Sequence, residues 1–328
     1  MPRIEGFGEA QSVAITVLVD NRADLIVEST ETVKYFRDKP LLAEHGFAAL
    51  IDLKSADIRI LWDAGITRIA LLENMKRMEI DLTRIDKIAI SHGHRDHTAA
   101  VTDVLAAINL APEGKEWPAD ASVEDMMASA QGRWLPLIAH PAAFHERWSF
   151  DEDGKKHGPY SGPPKAKWEA ARAEVITSEG PHQLGPGCWT TGYVPRRSFE
   201  KSGRPTKMYY RDGHKFLRDD LDEDQAIVIN VKGKGLVVVS GCAHSGIVNT
   251  VHYAQKISGV DRVWAILGGF HLARAKDREV QRTINEIKVL KPHMIVPSHC
   301  TGFKAIAQFA AHMPDAFVPG VVGATYLF

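Results

Sequence analysis

Long apolar runs are absent: no stretch of about 18 uncharged apolar residues occurs in the 328, so no membrane-spanning helix is expected. The opening Met1-Pro2-Arg3-Ile4-Glu5-Gly6 lacks the apolar segment of a secretory signal, and the expected location is the cytoplasm. Cysteine is scarce. Cys188, Cys242 and Cys300 are odd in number and far apart, which argues against a disulfide framework and fits a reducing compartment. An excess of either charge is missing too, since 40 Lys and Arg against 41 Asp and Glu leave −1. That balance excludes the basic field of a nucleic-acid or anionic-membrane binder, and leaves a small molecule as the expected partner. No fixed-period repeat or low-complexity tract appears. What the chain does hold is 45% hydrophobic residues, enough for a substantial core, and fifteen histidines that invite a search for a metal site.

Apolar, β-branched runs at residues 12–20, 47–53 and 58–62 predict three strands, with a turn near Lys54 and Ser55. After Asp63-Ala64-Gly65 the pattern turns helical to about Met78, and 85–90 reads as a short strand. Alanine, valine and leucine at helical spacing predict a helix over 98–110, with Asp96 or Thr98 as its cap. Further strands are expected at 135–139, 226–231, 236–240, 263–267 and 294–297, alternating with helices at 247–256, 278–290 and 303–311. This order predicts one layered α/β domain over 1–328, with polar residues gathered at strand ends. The Pro-, Gly- and charge-rich segments near 111–134 and 150–167 read as surface insertions, candidates for substrate-facing loops.

Ser91-His92-Gly93-His94-Arg95-Asp96-His97 packs three imidazoles and a carboxylate into six positions, directly after a strand. In extended chain residues two apart face the same way, so His92 and His94 can grip one ion together. Asp96 and His97, at the turn into the helix, suit an adjacent second ion. A lone histidine is usually a hydrogen-bonded structural residue, but so many titratable groups at such density point to metal.

His-x-His-x-Asp-His after a short strand, preceded by Trp62-Asp63-Ala64-Gly65, resembles the metallo-β-lactamase superfamily. Glu44-His45-Gly46-Phe47, Gly192-Tyr193-Val194-Pro195-Arg196, Gly241-Cys242-Ala243-His244-Ser245-Gly246, Gly268-Gly269-Phe270-His271-Leu272 and Ser298-His299-Cys300-Thr301-Gly302 resemble one branch of it, the group labelled dihydropterin ribofuranosylaminobenzene phosphate synthase-like hydrolases. The resemblance implies an αββα four-layer sandwich with the metal centre at one sheet edge. It also implies that His244 completes the ion held by His92 and His94, and that His299 completes the one held by Asp96 and His97. Asp63 would accept an imidazole N–H and fix the tautomer of a ligand.

The chain departs from the wider superfamily in one respect. Where many members carry a bridging Gly-Asp, Gly241-Cys242 stands here, and Cys242 is open to three roles: thiolate ligand, small buried residue, or a residue that supports the ligands. His45 and His271 are candidates for substrate binding or proton transfer, against hydrogen-bonded loop histidines. Arg196, beside Arg197, is the candidate clamp for an anionic substrate group, against a solvated arginine pair. Asp222, Glu223 and Asp224 read as a solvated acidic run.

The expected function is hydrolysis of a small-molecule ester, lactone, amide or phosphoester by metal-activated water, with Asp96 or a neighbouring histidine receiving a proton. One or two ions are expected, zinc by default for an imidazole-rich site, with iron or manganese suited to the mixed set. The alternative is a metal-bearing binding or sensor protein with little turnover. A di-iron redox enzyme is a third reading, but no room remains after Gly302 for a flavin-binding partner domain.

Overall fold

The computed structural model describes residues 3–109, 132–200 and 206–328. Eighteen strands are present among them: β1 (Val13–Val19), β2 (Val33–Tyr35), β3 (Ala48–Leu53), β4 (Ile58–Trp62), β5 (Lys87–Ala89), β6 (Leu135–Ala139), β7 (Arg147–Phe150), β8 (Lys156–Tyr160), β9 (Ala173–Thr177), β10 (His182–Gly185), β11 (Cys188–Thr190), β12 (Met208–Asp212), β13 (Lys215–Arg218), β14 (Ala226–Val231), β15 (Gly235–Ser240), β16 (Val263–Gly269), β17 (Met294–Ser298) and β18 (Ala324–Leu327). The helices are α1 (Arg68–Arg77), the single turn α2 (Arg95–Thr98), α3 (Val101–Asn109), α4 (Lys165–Ala170), α5 (Ile247–Ser258), α6 (Asp277–Leu290) and α7 (Phe303–His312). No helix among the described residues is long and apolar enough to cross a membrane.

The strands form an eight-stranded sheet, in the order β2-β18-β1-β3-β4-β5-β6-β9, and a six-stranded sheet, β10-β11-β14-β15-β16-β17. Period-two alternation sorts their side chains into two layers. Val13, Ile15, Val17, Ile51 and Ile60 of the first sheet meet Ile227, Ile229, Val237 and Val239 of the second in one buried cluster. The opposite face of the first sheet packs against Leu71 and Met75 of α1, Val104 and Leu105 of α3, and Trp168 of α4. That of the second covers Val251 and Ile257 of α5, Ile284 and Ile287 of α6, and Phe309 of α7. The result is the αββα sandwich, with strands buried on both faces and therefore near-continuously apolar.

Two expectations need correction. The segment 150–167 is not an irregular loop: β7, β8, β12 and β13 form a third, four-stranded antiparallel sheet, and α4 follows it. Its strands are mostly exposed or half-buried, so little apolar alternation marks them. Its small core is aromatic, with Trp148 and Phe150 both edge-on to Phe216 and Phe150 edge-on to Tyr209. The other predicted insertion, 111–134, falls almost wholly outside the described residues. The acidic run is not solvated either. Glu223 and Asp224 are buried, and only Asp222 stays largely outside.

Arg147, at the root of the third sheet, explains the burial of Glu223, while Asp224 accepts the Ser245 N–H at 2.8 Å. Its guanidinium ion-pairs with Asp219 and, at 2.5 Å, with Glu223. It also donates to the carbonyls of Ala142 and His145 at 3.3 Å. Burial still pushes the Glu223 carboxyl up to about 7, with Arg147 pulling the other way.

Candidate metal centre

The site forms where β4, β5, β15, β16 and β17 end. Asp63 follows β4 in the left-handed region, at φ 60°, and is fully buried. Its Oδ1 accepts the Ser91 N–H at 2.7 Å, while Oδ2 accepts the Ser91 hydroxyl and His97 Nδ1, each at 2.7 Å. The Ser91 hydroxyl, having donated to Asp63, accepts from His92 Nδ1 at 2.9 Å. Both histidines thereby have Nδ1 as the donor, which turns Nε2 toward the site. Gly241 is required by the same packing, because a Cβ there would stand 2.2 Å from Ser91 Oγ and 2.8 Å from Asp63 Oδ2.

His92 and His94 converge, with Nε2 of the first 3.0 Å from Nδ1 of the second. Two imidazole nitrogens sharing a tetrahedral zinc stand roughly 3.3 Å apart, so the spacing suits a common ion. The His244 ring lies 4.7 Å from that of His92 and 4.9 Å from that of His94. Asp96 does not cap the helix. It sits inside the turn α2, with Oδ2 3.4 Å from His299 Nε2, 3.7 Å from His97 Nε2 and 3.3 Å from His45 Nε2. Nor is Thr98 a cap, since its hydroxyl donates back to the His94 carbonyl at 3.0 Å.

Cys242 stands where these sets meet. Among the described residues, three clusters have ligand atoms within 4.8 Å of one another: Asp96, His97, Cys242 and His299; His92, Cys242 and His244; and Cys242, His271 and Cys300. The sulfur of Cys242 is common to all three, and lies 3.2 Å from His97 Nε2. His94 belongs to none of the three clusters, although its ring adjoins two of their members.

The electrostatics suit a cation. Burial first, and the neighbouring imidazoles second, hold His92 and His244 well below the ordinary histidine value. Burial brings His94 down to about 4. All three are neutral at physiological pH, as ligands must be. Burial works to raise the Asp96 carboxyl, but His299 and His97 hold it well below the usual carboxylate range. At His97 burial is outweighed by Asp63, which lifts the imidazole to about 9. The carboxylates therefore keep a proton on the His97 imidazole, where a metal would supply the positive charge. His244 Nε2 and His299 Nε2 are buried without a hydrogen-bond partner, as is His271 Nδ1. Such orphaned nitrogens are costly unless an ion accepts their lone pairs, and the residues present fit one or two such ions.

Of the other predicted residues, His45 lies at the exposed rim beside Asp96, and His271 packs 4.1 Å from the His244 ring. Arg196 is not presented as a substrate clamp. Its guanidinium pairs with Asp222 at 2.7 Å and donates to the carbonyls of Asp220 and Leu221, tying down the 219–224 loop. Sequence reasoning missed Ser91, Asn21 and Cys300. Asn21 Oδ1 meets His299 Nδ1 at 3.0 Å, and nothing in its neighbourhood advertised this. Cys300, directly after His299 in a Gly-flanked motif, was findable by that adjacency.

Asp63→Asn tests the inner hydrogen-bond set. An amide cannot accept from Ser91 and His97 with the same charge, so metal affinity should fall by about 10- to 100-fold. Competition with a fluorescent chelator measures this, and an unchanged affinity would remove Asp63 from the site.

No family model matches the chain. Over 286 residues it is 32% identical to the 7,8-dihydropterin-6-methyl-4-(β-D-ribofuranosyl)-aminobenzene-5'-phosphate synthase of Methanocaldococcus jannaschii, covering 85% of this chain and 88% of that one. Among solved structures, a metal-dependent hydrolase of the β-lactamase superfamily superposes with a TM-score of 0.69 at 21% identity, over 95% of this chain and 98% of the other. A metallo-β-lactamase fold protein from Bacillus subtilis gives 0.51 at 11% identity, over 97% and 100%. The sandwich, its helical layers and the extended match to the synthase place this chain in the same family as that enzyme, on the metallo-β-lactamase fold.

Proposed function

We propose that the protein is a metal-dependent hydrolase of small molecules whose ions sit among His92, His94, Asp96, His97, Cys242, His244 and His299. The observation that carries this is the buried, unpartnered Nε2 of His244, together with the buried His299 Nε2, which makes no hydrogen bond and has only Asp96 Oδ2 at 3.4 Å, each in a ligand cluster that also contains the Cys242 sulfur. When bound, a divalent ion lowers the pKa of water toward neutrality and polarises the substrate oxygen. Zinc suits the imidazoles and the thiol, and iron or manganese suits the half that contains Asp96.

The protein's own groups supply the rest. Asp63 and Ser91 hold His97 and His92 in one tautomer, so that no reorientation is needed during turnover. Asp96, kept ionised, would accept a hydrogen bond from the attacking water and orient it. His45, with Nε2 3.3 Å from Asp96 and its other face in solvent, would receive the water's proton and carry it to the leaving group or to bulk. His271, with Nδ1 unpartnered, is placed to orient a substrate oxygen. Cys242 takes the position between the clusters as a ligand, the first of the three roles its sequence left open.

The test is a panel of phosphodiesters, phosphomonoesters, lactones and esters, assayed with and without chelator. Turnover of at least one class, abolished by chelation and restored by zinc, iron or manganese, is expected. Metal-confirmed protein inert to every class would overturn the reading. The relative's name supports a second reading, bond formation by the same site, so formation of a dihydropterin–aminobenzene product belongs in the panel.

A further inference from the structure

On the outer helical layer, among none of the metal-site residues, α5, α6 and the 195–199 loop enclose a cavity of about 440 Å³. Asn249, His252, Tyr253 and Lys256 follow one another at helical spacing on one face of α5, and all four line it. Arg282 and Glu286, one turn apart on α6, form the facing wall. Arg197 closes the third side, fixed there because Asn249 Oδ1 accepts both its N–H and that of Ser198, at 2.8 and 2.6 Å.

Among the described residues, three exposed cations and a histidine thus line it against a single carboxylate, and no ion pair there engages Arg197, Lys256 or Arg282. The Arg282 guanidinium is steadied instead by the Phe199 ring, 4.0 Å below its carbon. The helix terminus is not the attraction. Its Val248 and Asn249 N–H groups already donate to Glu200 Oε2, at 3.0 and 3.2 Å. Converging cations repel one another unless an anion joins them, and guanidinium forks match phosphate oxygens. Phe199, Tyr253 and Pro195 add apolar surface at the same place.

We propose that this cavity binds a small organic phosphate, its phosphoryl group between Arg197, Lys256 and Arg282 and its apolar part against Phe199 and Tyr253. The volume suits a ligand of nucleotide size. The inference stands apart from the hydrolase reading, because no residue of the metal centre takes part.

Isothermal titration calorimetry of the metal-loaded protein with adenosine monophosphate tests it, with adenosine as the uncharged control. Adenosine monophosphate should bind, and adenosine should bind at least about tenfold more weakly. Lys256→Gln with Arg282→Gln should weaken the phosphate by at least about tenfold while metal content and thermal midpoint hold, and Arg282→Glu alone should do the same. His299→Ala, which perturbs only the metal centre, should leave the affinity unchanged. Loss in His299→Ala with retention in the double variant would place the phosphate on the metal ions and overturn the proposal. So would an absence of binding to the wild type at millimolar concentration.

Discussion

Replacing His92 and His244 together by alanine should strip at least one equivalent of metal from the protein and lower any metal-dependent rate by at least about a hundredfold. These two histidines share a ligand cluster with Cys242, and both are buried and held neutral, so each contributes a free lone pair to one point. No nearby water-exposed group can replace them, because His94 Nδ1 already adjoins His92 Nε2 at 3.0 Å and His271 belongs to a different cluster. The fold should survive. The pair lies at strand ends beyond the cluster of apolar side chains that joins the two sheets, and removing the orphaned Nε2 of His244 offsets part of the lost packing. Elemental analysis and circular dichroism on the same sample separate loss of metal from loss of structure. Full metal content in the double variant would end the assignment of this cluster.

Arg147→Met should cost stability rather than chemistry. The guanidinium is buried between Asp219 and Glu223, themselves buried, and it also holds two carbonyls of the 142–145 turn. Removing one partner from such a set leaves uncompensated charge, which costs about 3–5 kcal/mol. A fall in the thermal midpoint on the order of 10 °C follows. The pH dependence carries a sign. Glu223, already pushed up to about 7, loses the cation that pulled it down, so its folded value rises further above the unfolded one. A group raised on folding contributes stability that is fully present below its unfolded pKa and lost as pH rises through the folded value. The deficit against wild type should therefore be largest near pH 8 and shrink toward pH 5. Urea midpoints at the two pH values measure it, and a deficit that grew on acidification would show that the carboxylates do not face the guanidinium as described.

How much of this was legible in the sequence depended on the range over which each residue acts. Strands β1, β3 and β14 to β17 announce themselves because both faces are largely buried and the runs are mostly apolar. The third sheet does not. Lys156–Tyr160 carries a glycine and a proline, pairs across a hairpin with β7, and reaches the rest of its sheet only through strands some fifty residues on. His92, His94, Asp96 and His97 are dense enough to be read as a cluster from the chain alone. Cys242 is not, because its position relative to the ions depends on segments around residues 63, 91–97, 271 and 299 arriving at one place. Arg196 misled for the converse reason: an arginine in a Gly- and Pro-flanked motif looks available, and only the folded 219–224 loop uses it up.

X-ray absorption at the metal edge, on protein purified without chelator, bears most directly on the central claim that ions sit on imidazole, carboxylate and Cys242 together. The expected result is one to two equivalents of metal, with a shell of nitrogen and oxygen at about 2.0–2.1 Å and a sulfur at about 2.3 Å that disappears in Cys242→Ser. A folded protein that turns over substrate with no metal above background, or a metal whose shell is unchanged in both Cys242→Ser and the His92, His244 double variant, would contradict it.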